Sequence, residues 1–177
     1  MTGFARPELL ATPEWLANEM NRETVRVIDV RWRPDGSAAQ VFESGHVPGA
    51  VHLDWRSELT EPPAEEEGPA LRLASSERAA AAFVRAGISD GSTVVLYDDT
   101  VSLFAAWTWW ALRVHGFESV RVLDGGFPAW QAARRPVSTA SVSPSASGQH
   151  LATTAATRHS PQAQSAPSIT ASTICVR

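Results

Sequence analysis

The sequence predicts an α/β domain of three layers, with a central parallel sheet of about five strands and helices on both faces. Short β-branched or apolar segments alternate along residues 1–136 with segments that carry helix caps and apolar faces. This alternation is typical of parallel strands joined by crossover helices. The nearly all-apolar segment at residues 94–97 is typical of a central strand that is covered on both faces.

Helix and strand signals follow one another in a regular order. Thr12 is a predicted N-cap, with Pro13 in the first helical position. Ser75 or Ser76 is predicted to cap a second helix, which ends before Gly87. A long apolar helix is expected over residues 102–115, and a short helix with Trp130 after Gly125-Gly126. The strand candidates are residues 9–11, 25–30, 50–53, 94–97 and 120–123.

The composition changes abruptly after Pro136. All seven Trp, all six Phe and the one Tyr lie in residues 1–136. Residues 137–177 contain no aromatic and no acidic residue, and they are rich in Ser, Thr, Ala, Pro and Gln. Such a segment buries too little apolar surface to offset its conformational entropy. The sequence therefore predicts one domain at 1–136 and a low-complexity, disordered tail at 137–177.

Charge and cysteine content exclude several functions. Residues 1–136 hold 13 Arg against 19 acidic residues, a net charge of −6, which argues against nucleic-acid binding. No apolar stretch reaches membrane-spanning length and the N-terminus has no signal core, so we expect a cytoplasmic protein without membrane contact. The single cysteine, Cys175, excludes an internal disulfide and a cysteine-cluster metal site. No cofactor is predicted.

Three motifs together resemble the rhodanese family. Residues 42–53 are similar to its signature of an aromatic residue, three further residues, His, an aliphatic residue and Pro-Gly-Ala. Residues 27–31 are like the strand before that signature, and residues 122–127 with Trp130 are like the closing motif. The order and spacing of the three motifs also agree with those of the family, and the resemblance covers about residues 8–136. The positions that carry the signature are His46, Pro48, Gly49, Asp124, Gly125, Gly126 and Trp130.

A narrower resemblance concerns one half of tandem proteins. Residues 95–98 and 109–117 are similar to the N-terminal, non-catalytic domain of thiosulfate or 3-mercaptopyruvate sulfurtransferases. Asp98 then stands at the position of the catalytic Cys. The resemblance implies that a second domain carries the Cys-headed loop and that the site lies between the two domains.

The chemistry implied by the resemblance is a double displacement. A Cys thiolate takes sulfane sulfur from a donor, forms a persulfide and passes the sulfur to cyanide or another thiophile. A loop at a helix N-terminus favours the thiolate, because the helix dipole and backbone N–H groups lower its pKa. The corresponding loop at residues 98–103 has neither Cys nor Gly. We expect no persulfide there, repulsion of anionic donors, and difficulty in forming a tight N–H cradle.

Other interpretations of the loop residues are structural. Asp98 or Asp99 can accept backbone N–H groups at a helix start, which is preferred here over a catalytic role. Thr100 and Ser102 complete the candidate loop residues. Arg31, which follows a strand end, could contact an anionic donor or pair with Asp98; the same two alternatives hold for Arg33. Cys175 is expected to be an inert, exposed thiol.

Two histidines raise the question of a metal site. His46 lies in a turn and is expected to bond to the backbone. The spacing of His46, His52 and Asp54 matches no known ligand pattern, so no metal site is predicted. Trp107 and Trp110 are expected in the buried core rather than in a stacking platform.

Two functions compete on the sequence alone. The first is a sulfurtransferase-family chain that is inactive alone, with a catalytic rhodanese domain or a small anionic sulfur donor as its partner. The alternative is a non-catalytic rhodanese-like module for protein interaction or regulation. A phosphatase on the same fold is set aside, because it also needs a loop Cys.

Overall fold

The computed structural model describes residues 5–62 and 71–140 of the 177-residue chain. It contains five strands in this range, with a 3-10 turn at Pro7–Leu9 before the first. The strands are β1 (Leu10–Ala11), β2 (Val25–Asp29), β3 (Val51–His52), β4 (Thr93–Tyr97) and β5 (Val120–Leu123). The helices are α1 (Pro13–Glu19), α2 (Ala38–Ser44), α3 (Trp55–Glu58), α4 (Ser76–Arg85), α5 (Leu103–Val114) and α6 (Gly126–Ala132).

The strands form one sheet in the order β1-β5-β4-β2-β3, and every neighbouring pair is parallel. This confirms the predicted fold class. β4 lies at the centre, and Val94, Val95, Leu96 and Tyr97 are fully buried. The apolar composition of this segment therefore reflects a strand that is covered on both faces.

Helix caps lie where the sequence predicts them. The Thr12 hydroxyl accepts the Trp15 N–H at 3.1 Å, and Pro13 is the first residue of α1. The Ser75 hydroxyl accepts the Arg78 N–H at 3.3 Å at the start of α4. Each cap satisfies one of the N–H groups that a helix leaves unpaired at its start.

Two short helices were not predicted. α2 overlaps the signature segment only at residues 42–44, and α3 follows the strand that the sequence predicts at residues 50–53. α3 has its own cap, because the Asp54 carboxylate accepts the Arg56 N–H at 3.1 Å.

Two hydrophobic clusters cover the two faces of the sheet. One contains Phe83 of α4 and Leu112 of α5, together with Trp55. The other contains Leu16 of α1, Phe42 of α2 and Trp130 of α6. The predicted three-layer arrangement is therefore present, with α4 and α5 together on one face.

One core prediction is wrong. Trp110 is 48% exposed, and Trp107 is only partly buried. The reason is the orientation of α5, which turns Ala105, Ala111 and Leu112 toward the core. The apolar residues of α5 exceed what one buried face of a helix can hold, so several of them remain on the outer side.

The described contacts continue past the predicted boundary at Pro136. Backbone N–H and C=O groups of Ser138 and His46 pair in both directions at 2.9 Å. From residue 141 onward the predicted disordered tail, including Cys175, lies outside the described residues. No helix within the described ranges is long and apolar enough to cross a membrane.

Candidate functional site

The candidate site lies where two central strands end side by side. β2 and β4 are neighbours in the sheet, and Asp29 at the end of β2 is in register with Tyr97 at the end of β4. The chain leaves β4 through residues 98–102 and then enters α5. Ligand sites of parallel α/β sheets are found at such carboxyl ends.

Asp98 is the centre of this loop. Its carboxylate has no exposed surface and accepts four backbone N–H groups. One oxygen accepts from Thr100 at 3.0 Å and Ser102 at 3.2 Å, and the other from Phe104 at 2.9 Å and Ala105 at 3.0 Å. The N-terminus of α5 thus binds an anion that belongs to the same chain.

The expectation that a loop without glycine has difficulty forming a tight N–H cradle is wrong. Ser102 adopts the left-handed conformation at φ 60°, which turns the backbone N–H groups inward without glycine. The Asp98 side chain then supplies the anion around which the loop closes. Four N–H groups on one carboxylate compensate for the strain of a non-glycine residue in this conformation.

The glycine pair of the closing motif allows the turn before α6 to approach this loop. The Phe127 N–H donates to the Asp98 carbonyl at 2.8 Å. A Cβ atom at Gly126, where φ is +60°, would lie 2.4 Å from that carbonyl oxygen. At Gly125 a Cβ atom would lie 2.6 Å from the Ala129 Cβ. Close packing therefore requires both glycines.

Arg31 does not pair with Asp98, so that alternative is wrong. Its guanidinium is buried and forms an ion pair with Asp29 at 2.6 Å, and it also donates to the Gly45 carbonyl at 2.9 Å. The guanidinium carbon lies 4.7 Å from the centre of the Phe127 ring. Burial opposes the charge, but the hydrogen bond and the charge of Asp29 raise the pKa of Arg31 above its ordinary value.

The exposed edge of the loop carries a second ion pair. Arg33 Nη1 donates to Asp99 Oδ1 at 3.1 Å, and a second, shorter contact joins Nη2 to Oδ2. Both side chains are partly exposed. The hydrogen bond from Arg33 to Asp99 is the main reason why the pKa of Arg33 is raised. The guanidinium nearest to the loop is therefore already paired with a carboxylate of the same chain.

The histidines bond to backbone oxygens. His46 is buried, with Nδ1 2.8 Å from the Phe42 carbonyl and Nε2 3.1 Å from the Ala140 carbonyl. His52 Nε2 lies 3.2 Å from the Arg31 carbonyl. Within residues 5–62 and 71–140, no three His, Cys, Asp or Glu side chains are grouped closely enough to hold a metal ion.

The remaining signature residues have structural contacts. Pro48 and Gly49 form a turn, in which the Ala50 N–H donates to the Val47 carbonyl at 3.0 Å. Gly49 has a positive φ of +77°. The Asp124 N–H donates to the Ala11 carbonyl at 2.9 Å and ties β5 to β1. Trp130 is fully buried, and its Nε1 donates to the Pro136 carbonyl at 2.7 Å.

Comparison with known proteins identifies the family. The family description "Rhodanese-like domain" matches residues 12–133, more than half of the chain. The chain belongs to the rhodanese family. The rhodanese resemblance predicted from the three motifs is thereby confirmed.

The relatives of this rhodanese domain include named sulfurtransferases. A putative thiosulfate sulfurtransferase, SseB, of Mycobacterium tuberculosis is 39% identical over 144 residues, which are 79% of this chain and 50% of that protein. The sulfur carrier protein TtuD of Thermus thermophilus is 31% identical, over 77% of this chain and 44% of its own length. The chain thus spans about half the length of the curated relatives it matches.

A solved structure of a longer protein also matches the fold of this chain. SseA of Escherichia coli, described with the 3-mercaptopyruvate sulfurtransferases, matches with a TM-score of 0.68 at 27% identity. The match covers 76% of this chain and 52% of that protein. The rhodanese fold of the chain is therefore also found in a sulfurtransferase of about twice the matched length.

Sequence reasoning missed the two ion pairs at the site. The signal for the first was present, since Asp29 and Arg31 are two residues apart at a strand end and can reach the same side of the sheet. The pairing of Arg33 with Asp99 joins residues 66 positions apart. It depends on β2 and β4 being neighbours, which the sequence order alone does not specify.

Proposed function

We propose that this rhodanese domain is a non-nucleophilic component of a sulfane-sulfur transferase and carries no sulfur when it is alone. The observation that supports this most directly is the Asp98 carboxylate in the N–H cradle, at the position where the family resemblance places the catalytic Cys. The names of the relatives support thiosulfate or 3-mercaptopyruvate as the class of donor.

The chemical argument has two parts. A carboxylate cannot accept a sulfane sulfur to form a persulfide, because it has no thiolate sulfur to make the new S–S bond. The four N–H groups that would otherwise stabilise a thiolate or a bound anion already donate to Asp98. A donor such as thiosulfate would therefore meet a loop in which these four N–H groups are already occupied and which has a second carboxylate, Asp99, at its edge.

The length of the relatives supports the proposal that the transferase has a second component. Since the chain spans about half of their length, we infer that a Cys-bearing domain works with it and supplies the nucleophile. The chain then contributes one wall of the assembled site. A cytoplasmic location is part of the same proposal.

The test is sulfur loading and turnover of the purified chain. Thiosulfate or 3-mercaptopyruvate is added, with cyanide as acceptor, and thiocyanate is measured beside the thiosulfate sulfurtransferase of Corynebacterium glutamicum as the active reference. We expect no thiocyanate above the blank. Intact-mass spectra should also show no addition of about 32 Da that a thiol reductant removes.

Cys175→Ser is the matched variant for this test. Sulfur loading that survives Cys175→Ser would contradict the proposal, because a group other than a thiol would then hold sulfur. Loading that disappears with Cys175→Ser would contradict it as well, since the chain would have its own nucleophile outside the described residues.

The alternative is a module for protein interaction or regulation. It is favoured by the tip of the loop, where the apolar side chain of Val101 is 93% exposed. The two functions differ in one measurement. A component of the transferase increases the turnover of a separate Cys-bearing domain, whereas a regulatory module lowers it or leaves it unchanged while binding.

A further inference from the structure

Residues 136–140, which we name the strap, are held against the turn that contains His46. The Pro136 carbonyl accepts the Trp130 Nε1–H at 2.7 Å. The backbone N–H and C=O groups of Ser138 and His46 then pair in both directions at 2.9 Å. The strap is therefore attached at its start by α6 and in its middle by the His46 turn.

The ring of His46 makes two contacts that a neutral imidazole cannot satisfy together. Nδ1 lies 2.8 Å from the Phe42 carbonyl oxygen, Nε2 lies 3.1 Å from the Ala140 carbonyl oxygen, and the residue has no exposed surface. A carbonyl oxygen only accepts hydrogen bonds, and a neutral imidazole has only one N–H. Both contacts are hydrogen bonds only when the ring carries a second proton.

The two contacts hold different parts of the fold. Phe42 lies in α2, four residues before His46, so the contact with its carbonyl stays within one local segment. Ala140 is the last residue of the strap and is 94 positions away from His46. A single proton belongs on Nδ1, which has the shorter contact. The lone pair of Nε2 then faces the lone pairs of the Ala140 carbonyl, and the end of the strap loses its hydrogen bond.

The surroundings of the ring act on the second proton in both directions. Burial opposes the charge of a doubly protonated ring. The two carbonyl dipoles favour it, and so does the face of the Phe42 ring, which is stacked on His46 at 3.9 Å between centroids. These opposing contributions make the occupancy of Nε2 sensitive to the proton concentration.

The other charged groups near the turn have fixed charges or lie at its edge. They are Asp29 and Arg31 at the end of β2, Glu43 of α2, His52 of β3, Tyr97 of β4, and Arg134 and Arg135 before the strap. Arg31 donates to the Gly45 carbonyl at 2.9 Å and is paired with Asp29. Burial raises the pKa of Tyr97 well above its ordinary value, so its hydroxyl stays neutral. His52 lies beyond the Phe42 ring, at 5.6 Å between centroids.

We propose that His46 is a proton-operated latch for the strap: the doubly protonated ring binds the Ala140 carbonyl, and loss of the Nε2 proton weakens the hold on the strap from Ser138 onward. The proton goes to water, and no bond between heavy atoms forms or breaks. The strap leads directly into residues 141–177, so the latch makes the point at which this segment leaves the domain depend on pH. This inference goes beyond the proposed sulfur chemistry and does not depend on it.

The test is an NMR titration of the isotope-labelled full chain between about pH 5.5 and about pH 7.5, on the two sides of the ordinary histidine pKa. The ring N–H signals of His46 report which of its nitrogens carry protons. Hydrogen exchange of the Ser138 amide, corrected for the intrinsic effect of pH on exchange, reports closure of the strap. The Val30 amide, which donates to the Tyr97 carbonyl at 2.9 Å, is the reference for opening of the whole domain.

We expect two ring N–H signals from His46 at the acidic end of the titration and one at the alkaline end. Protection of the Ser138 amide relative to the Val30 amide should be about tenfold lower at the alkaline end, the effect of losing one hydrogen bond to a charged group. His46→Gln, whose side chain takes up no proton, should remove this pH dependence. His52→Gln is the matched control and should keep it.

A His46 ring that keeps the same number of protons throughout the titration would overturn the latch. Relative protection of Ser138 that does not change with pH would overturn it too. Both results come from the wild-type chain, so they decide the matter even if His46→Gln does not fold. A pH dependence that persists in His46→Gln, or that disappears in His52→Gln, would also contradict the proposal.

Discussion

Asp29 and Asp98 are two fully buried carboxylates at the ends of neighbouring strands, and the protein stabilises them in different ways. Asp29 faces the guanidinium of Arg31, so its charge is balanced by a full opposite charge. Asp98 has no ion-pair partner among the described residues, and four backbone N–H groups at the start of α5 surround it. The first arrangement depends on another side chain, the second on backbone conformation.

This difference concerns what holds the loop after β4 in its shape. Backbone N–H groups at a helix N-terminus stabilise any anion of suitable size, whether a thiolate or a carboxylate. In this chain the Asp98 carboxylate accepts from those donors and stabilises the loop. The Asp29–Arg31 pair offers no such exchange, because each side chain is buried with its particular partner.

The largest effect is expected where a full charge would lose its partner. Asp29→Ala leaves the buried Arg31 guanidinium without its carboxylate, and removal of one partner from a buried pair costs about 3–5 kcal/mol. The free energy of unfolding, measured with urea at neutral pH, should fall by that amount. The double variant Asp29→Leu, Arg31→Met should recover much of the loss, because it leaves no buried charge. A double variant no more stable than Asp29→Ala would contradict this.

A smaller loss is expected at the N–H cradle. Asp98→Ala removes the acceptor of four N–H groups, but water can reach part of the loop, so we expect a loss of about 2–3 kcal/mol in the free energy of unfolding. Asp99→Ala is the matched control on the next residue. It breaks a partly exposed ion pair and should cost less than about 1 kcal/mol. Equal losses for the two variants would mean that the cradle adds nothing to stability.

The sequence predicted the fold better than the site. Strand β4 and the Thr12 and Ser75 caps depend on local patterns, which the chain displays directly. The family motifs located Asp98 at the loop, and the local preference of Asp for helix starts suggested its bonding to N–H groups. The left-handed Ser102 had no such signal, because serine rarely adopts this conformation and only the closed loop imposes it.

The partners of the two arginines differ in how far the sequence indicates them. Asp29 lies two residues from Arg31 at the same strand end, so that signal was present and was missed. The pairing of Arg33 with Asp99 depends on the strand order, which places β2 beside β4. The exposure of Trp110 was missed because an apolar helix suggests burial on all sides when its neighbours are unknown. The 48% exposure of Trp110 depends on which elements cover α5, and this is known only from the fold.

The smallest effect concerns His115, a partly buried residue that has, in the described part of the chain, neither an ion-pair partner nor backbone hydrogen bonds like those of the two carboxylates. Its ring packs edge-on against Phe83, its Nε2 has no hydrogen-bond partner among the described residues, and burial lowers the pKa of His115 below 6.5. The folded chain therefore holds this proton less tightly than the unfolded chain does. The contribution of His115 to stability is complete above pH 6.5 and is lost as the pH falls below that value.

The measurement is the change in urea midpoint between about pH 7.5 and about pH 5.5, on the two sides of the ordinary histidine pKa. The wild type should lose more stability on acidification than His115→Asn, whose side chain takes up no proton. His52→Asn is the control, since it removes a histidine whose Nε2 lies 3.2 Å from the Arg31 carbonyl at a different place in the fold. Equal losses of stability for the wild type and His115→Asn would contradict this prediction. The His115 ring would then be hydrated in the folded chain, and it would not be an example of a buried group without compensating partners.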